Sequence, residues 1–229
     1  MKCMIKYLIK FVKEEQHAKD IAAGKFYMQA AEYYRRNWDK LSKGQVDMTE
    51  GAISHHYQIF CNPDFYVFCA YSVDATDIRN DKITINMDVI EDFECCNGYA
   101  VIIDFEKLEK RIGLLETEGY AMTGGRVVYG RIDLWETLKL LSTGGCSSLF
   151  RKPILFKRQK EYRFIVQRHA ETIIKEWERD GIMFRSKEYI PKVFSLPADA
   201  PKDYIHSIQN ISSLKTFNNN YIIDLRCSH

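Results

Sequence analysis

The chain has no long apolar run. Nowhere does it approach the roughly 18 uninterrupted apolar residues of a membrane span, and in the opening MKCMIKYLIKFVKEE the lysines Lys2, Lys6, Lys10 and Lys13 break each run short of signal-peptide length. A soluble, cytoplasmic protein without a membrane partner is the expectation. Signature loops are missing as well. There is no Walker-type phosphate loop, no GxGxxG after a strand, no GxSxG elbow and no HExxH, which excludes the architectures built on them. The seven cysteines at positions 3, 61, 69, 95, 96, 146 and 227 have no framework spacing, and His55, His56 and Cys61 have no second ligand pair for zinc. Reduced thiols and no metal follow. An excess of one charge is lacking too: 33 Lys and Arg face 31 Asp and Glu, a formal +2, too little to mark a nucleic-acid or membrane-surface protein by electrostatics alone.

Core material is present in quantity. With 229 residues, 46% of them hydrophobic, and no repeat or low-complexity linker, the chain reads as a single domain over 1–229. Ile5, Tyr7, Ile9 and Phe11 alternate with Lys6, Leu8 and Lys10, the period of a half-buried strand with Lys6 and Lys10 turned away from the packing. Lys13 to Ala23 turns helical, with Ala18, Ile21 and Ala22 on one side and Gly24 as terminator. Phe26 to Met28 is extended again. Phe65 to Ser72 and Tyr99 to Ile103 are apolar runs of buried-strand length, and Arg126 to Arg131 is a third strand candidate.

Two helices interrupt this β-rich middle. Asp104 can cap a helix carrying Phe105, Leu108, Ile112 and Leu115, and Asp133 another carrying Leu134, Leu138 and Leu141. Arg168 to Arg179 reads as a polar helix, within a helical insertion at 168–185. Strands return at Lys192 to Leu196 and Tyr221 to Leu225, the latter after an Asn218-Asn219-Asn220 turn. Strands and helices mix without a regular βαβ alternation, so the predicted class is α+β.

The segment with most chemistry is Phe150 to Val166, FRKPILFKRQKEYRFIV. Read as a strand, it puts Gln159, Glu161 and Arg163 on one face and Tyr162, Phe164 and Val166 on the other. One face packs while the other acts. The basic residues Arg151, Lys152, Lys157, Arg158, Lys160 and Arg163 form a local patch that tilts a macromolecular partner towards RNA or DNA.

The order strand, helix, GKFYM, YYR, acidic glycine loop, buried strands and late KxxxxxxQKEYR, spread over residues 6–166, resembles a widespread group of bacterial and phage proteins. More distantly it resembles the ADP-ribosyltransferase family. The resemblance implies a split β-sheet clamp with peripheral helices around NAD, and a mono-ADP-ribosyltransferase that cleaves NAD and transfers ADP-ribose to a macromolecular acceptor, nucleic acid or protein. It also implies the toxin of a toxin–antitoxin or anti-phage system, with an antitoxin protein covering the cleft. Glu161 takes the catalytic place and Gln159 orients the acceptor. Where better known transferases carry Arg or His on the first strand, this chain has Lys10, and Tyr27 or Tyr34 has to supply the nicotinamide platform.

Chemistry makes these assignments reasonable. Losing nicotinamide leaves an oxocarbenium-like ribose, which a carboxylate stabilises. Arg35, with its fork of donors, suits a pyrophosphate, Lys10 is a point charge for the same task, and a tyrosine offers a flat face. The competing reading makes Gln159, Glu161 and Arg163 the wet face of an edge strand, with Glu161 paired to Arg163 or Arg158, in a non-catalytic nucleic-acid- or partner-binding module. A cysteine hydrolase would need a thiol beside His55, His56 or His169.

Overall fold

A computed structural model describes residues 4–31, 33, 65–115, 120–130, 149–168 and 192–226. The strands and helices in chain order are β1 (Ile5–Val12), α1 (Glu15–Ala22), β2 (Lys25–Ala30), β3 (Phe65–Asp74), β4 (Ile78–Arg79), β5 (Lys82–Asn86), α2 (Met87–Asp92), β6 (Tyr99–Asp104) and α3 (Phe105–Ile112). There follow β7 (Tyr120–Arg126), β8 (Val128–Tyr129), β9 (Arg151–Lys152), β10 (Glu161–Arg168), β11 (Lys192–Ser195), β12 (Ile205–Asn210), β13 (Lys215–Phe217) and β14 (Asn220–Asp224). The class is mixed α+β. Apart from the short parallel pair β8–β9, the strand pairs are antiparallel.

The large sheet runs β11-β2-β3-β1-β6-β12, with β10 on the other edge of β3 and β7 beyond it. On one edge β3 has two partners in succession: Ile5 to Ile9 of β1 lie against Asp74 to Tyr71, and Gln29 and Ala30 of β2 against Val67 and Tyr66. Phe68, Cys69 and Ala70 separate the two stretches. The sheet forks there. Past Ile9, β1 continues with β6, where Lys10 opposes Val101, while the first half of β2 pairs with β11.

Each face of the sheet packs, and alternation decides which residue goes where. Leu8, Val101, Ile103, Phe26, Met28, Phe68, Tyr162, Phe164 and Val166 point to one side and meet Ala18 and Ile21 of α1 and Leu108 and Ile112 of α3. Ile9, Val73, Ala100 and Ile102 point to the other and meet Ile83, Ile85 and Ile223 of the sheet β13-β14-β5-β4. Each fully buried aliphatic contributes about 1.5–3 kcal/mol relative to exposure. Asp104 accepts from the Lys107 N–H and starts α3, and Gly24 takes φ +85° just after α1, as the capping chemistry anticipates.

Several expectations need correction. Lys6 is exposed, but Lys10 does not turn to solvent: its ammonium enters the fork. Arg126 to Arg131 is not one strand, because β7 ends at Arg126 and β8 is a separate two-residue piece. Arg168 closes β10 instead of opening a helix, and the remainder of the 168–185 helical segment lies outside the described residues, as does the helix expected after Asp133. Among the described residues no helix is long and apolar enough to cross a membrane.

Candidate active site

The fork opens into a cavity of about 740 Å³. Its walls come from the end of β1, from α1 and from β2; its floor is the face of β3 and β10 that carries Val67, Cys69, Tyr71, Glu161 and Arg163. Register explains this grouping. Glu161 stands opposite Tyr71 and Arg163 opposite Cys69, and cross-strand neighbours share a face. The same alternation in β2 sends Phe26 and Met28 into the core and leaves Lys25, Tyr27 and Gln29 on the cavity side.

The strand expected through Gln159 and Glu161 is broken between them. Residues 154–159 form a 3₁₀ turn, Lys160 takes the left-handed conformation with φ +41°, and β10 starts only at Glu161. Same-face periodicity therefore does not bring the two together. Lys152 does, since its Nζ donates to Gln159 Oε1 at 2.9 Å and to Glu161 Oε1 at 2.6 Å. The ammonium lies 4.6 Å from the Phe156 ring centroid. Two further hydrogen bonds hold the turn: the Ser72 N–H and hydroxyl both donate to the Lys160 carbonyl, at 2.9 and 2.6 Å.

The edge-strand alternative is also corrected. β10 lies between β3 and β7, and the cluster is buried: Gln159 is 1% exposed, Glu161 4% and Arg163 1%. Glu161 does pair with Arg163, whose Nε donates to Oε2 at 2.8 Å, but Arg158 goes to Asp92 instead. Asp92 Oδ2 in turn accepts from Gln159 Nε2 at 3.4 Å. The Glu161 N–H donates to the Tyr129 hydroxyl at 2.8 Å. Burial pushes the Glu161 carboxyl upward, yet the charges and hydrogen bonds of Arg163 and Lys152 outweigh it and hold the group down to about 2. Glu161 is thus an ionised carboxylate at neutral pH.

No family model, no curated protein and no solved structure matches this chain.

Lys10, Tyr27, Gln159 and Glu161 all line the one cavity, whereas Tyr34 and Arg35 lie outside the described residues. Lys10 Nζ donates to the Cys69 carbonyl of β3 at 2.7 Å and sits 4.8 Å from the Phe68 ring centroid. Burial lowers its pKa, opposed by nearby acidic groups including Glu161. Tyr27 is not a core aromatic: it is 54% exposed at the cavity mouth, stacked on His17 with ring centroids 6.4 Å apart. Among the described residues no cluster of His, Cys, Asp and Glu could hold a metal ion.

The basic run divides: Lys157, Arg158 and Lys160 are exposed, while Lys152 and Arg163 are not. Lys152 and Arg163 are buried on Glu161, Arg158 is paired with Asp92 and Lys160 with Asp77. Sequence reasoning assigned no site role to Lys152, Asp92 or His17, and reached Arg163 as a face-sharing neighbour of Glu161 and its ion-pair partner in the competing reading. Lys152 was visible only as part of a charge run, and the fixed lysine of KxxxxxxQKEYR was the available hint. Asp92 and His17 carried no local signal, because what they touch is set by tertiary packing.

Proposed function

We propose that the protein cleaves the nicotinamide–ribose bond of NAD in this cavity and hands the ADP-ribosyl group to an acceptor, the chemistry of an ADP-ribosyltransferase. The observation that carries this reading is Glu161, an ionised carboxylate lining a cavity of about 740 Å³. That volume lies in the range of roughly 300–1,000 Å³ typical of small-molecule sites. The forked sheet around it supports the resemblance to a split clamp.

NAD is the substrate. As the glycosidic bond lengthens, the ribose gains positive charge at C1′ and its ring oxygen, and the leaving pyridinium loses its own. A carboxylate held in place beside the ribose stabilises that charge most when it is fully developed, which accelerates the step. Glu161 has one oxygen on Lys152 and the other on Arg163. An ionised carboxylate has about four acceptor positions, so lone pairs remain for a ribose hydroxyl. Lys10 offers a cation to the phosphates and Tyr27 a flat face to a ring. An activity that consumes NAD inside a cell calls for restraint, and an antitoxin closing the cavity mouth belongs to this proposal.

Incubating the purified protein with NAD and following nicotinamide tests the reading. Release is expected, with a raised KM in Lys10→Met and Tyr27→Ala. A folded protein that neither binds nor consumes NAD would remove its support.

A further inference from the structure

Resting on that reading, the question left is which nucleophile reaches the ribose. In a transfer to a macromolecule, Gln159 would have to meet the acceptor. Here it is 1% exposed, with Oε1 accepting from Lys152 and Nε2 donating to Asp92. Glu161 beside it is 4% exposed. Both are nearly buried lining groups of the cavity, so an acceptor meets them only by entering it. The basic run also offers a polymer less than its sequence suggests: Lys152 and Arg163 are buried on Glu161, and of the exposed members Arg158 and Lys160 are paired to Asp92 and Asp77, with Lys157 beside them. Water is the nucleophile small enough to enter beside a bound dinucleotide.

We infer that the acceptor is water, and that the protein is an NAD hydrolase releasing free ADP-ribose. The C1′–N bond breaks with its electron pair going to the nicotinamide ring nitrogen, which becomes neutral. A water oxygen bonds to C1′, and the resulting oxonium gives its proton to bulk solvent. The balance is NAD⁺ plus water to nicotinamide, ADP-ribose and H⁺, with no oxidant or reductant. Glu161 remains a carboxylate throughout, stabilising charge without carrying a proton, in keeping with its two cationic partners. Gln159 then acts as a positioning group within the Asp92–Gln159–Lys152–Glu161 chain and does not hold a polymer.

The test follows adenylate-labelled NAD with the purified wild-type protein, in buffer alone and then with total cellular RNA, DNA or protein. Expected are free ADP-ribose and nicotinamide in equal amounts, a rate unchanged by any polymer, and no label in polymer. With methanol present, part of the product should become methyl ADP-ribose, because a small alcohol competes where water enters. A rise in nicotinamide release of about tenfold on adding a polymer, with label moving onto it, overturns water as acceptor while leaving NAD cleavage intact. Absence of nicotinamide under every condition overturns both.

Discussion

Glu161 lies between two cations and is itself nearly buried, and its behaviour with pH follows from that. Its folded-state value of about 2 is below the ordinary 4.5, so folding favours the ionised form. The stabilisation is complete above the ordinary value and is lost as pH falls from about 4.5 towards 2, on the order of 3 kcal/mol in all. Denaturant unfolding of the wild type should weaken over that interval, and Glu161→Gln should show a shallower slope there. At neutral pH Glu161→Gln takes the carboxylate away from the buried Lys152 and Arg163, at a cost of roughly 3–5 kcal/mol. Removing one of those cations as well, in Lys152→Met with Glu161→Gln, should recover part of that loss. A double-mutant cycle checks this through a coupling of roughly 0.5–3 kcal/mol. Strict additivity would mean that Lys152 does not hold the carboxylate.

At the scale of elements the decisive feature is the turn that separates Gln159 from β10. Lys160 has φ +41°, a conformation that costs a residue with a Cβ roughly 1–2 kcal/mol. Lys160→Gly gives up only the exposed pair with Asp77 and should remain within about 1 kcal/mol of the wild type with activity kept. Lys160→Ile should be destabilised and lose NAD cleavage, since the turn carries Gln159. Gly98 is a second strict position: a Cβ there would lie 2.2 Å from the Val12 carbonyl oxygen. Gly98→Ala should therefore cost about 1–3 kcal/mol by thermal unfolding. The strands β1, β3 and β6 and the helices α1 and α3 were readable because period and caps are local. The turn Asn218-Asn219 was too, asparagine being at ease with φ of 46° and 57°. The break at Lys160 was not, since a lysine carries no turn signal. The clasp by Lys152 was hidden for a different reason: it spans nine residues and depends on where β9 and the 3₁₀ turn are placed.

Across the whole molecule, the two parts of the sheet diverge from β3, and Lys10 crosses the gap to the Cys69 carbonyl. A ligand in the fork should protect amides in β2 and in the middle of β3 from hydrogen exchange, while the sheet β13-β14-β5-β4, on the far side of its own core, stays as it was. Addition of ADP-ribose followed by exchange mass spectrometry reads this. Uniform protection, or none in β2 and β3, would place the ligand elsewhere. The central claim is that Glu161 acts on the transition state of NAD cleavage, and it is tested most directly by the turnover number for nicotinamide release at saturating NAD. Wild type is compared with Glu161→Gln and with its Lys152→Met double variant, each with its NAD dissociation constant measured alongside. The account predicts turnover lower by roughly 10²–10³-fold in both variants, with NAD binding nearly unchanged. Turnover close to wild type in a variant that binds NAD would contradict it.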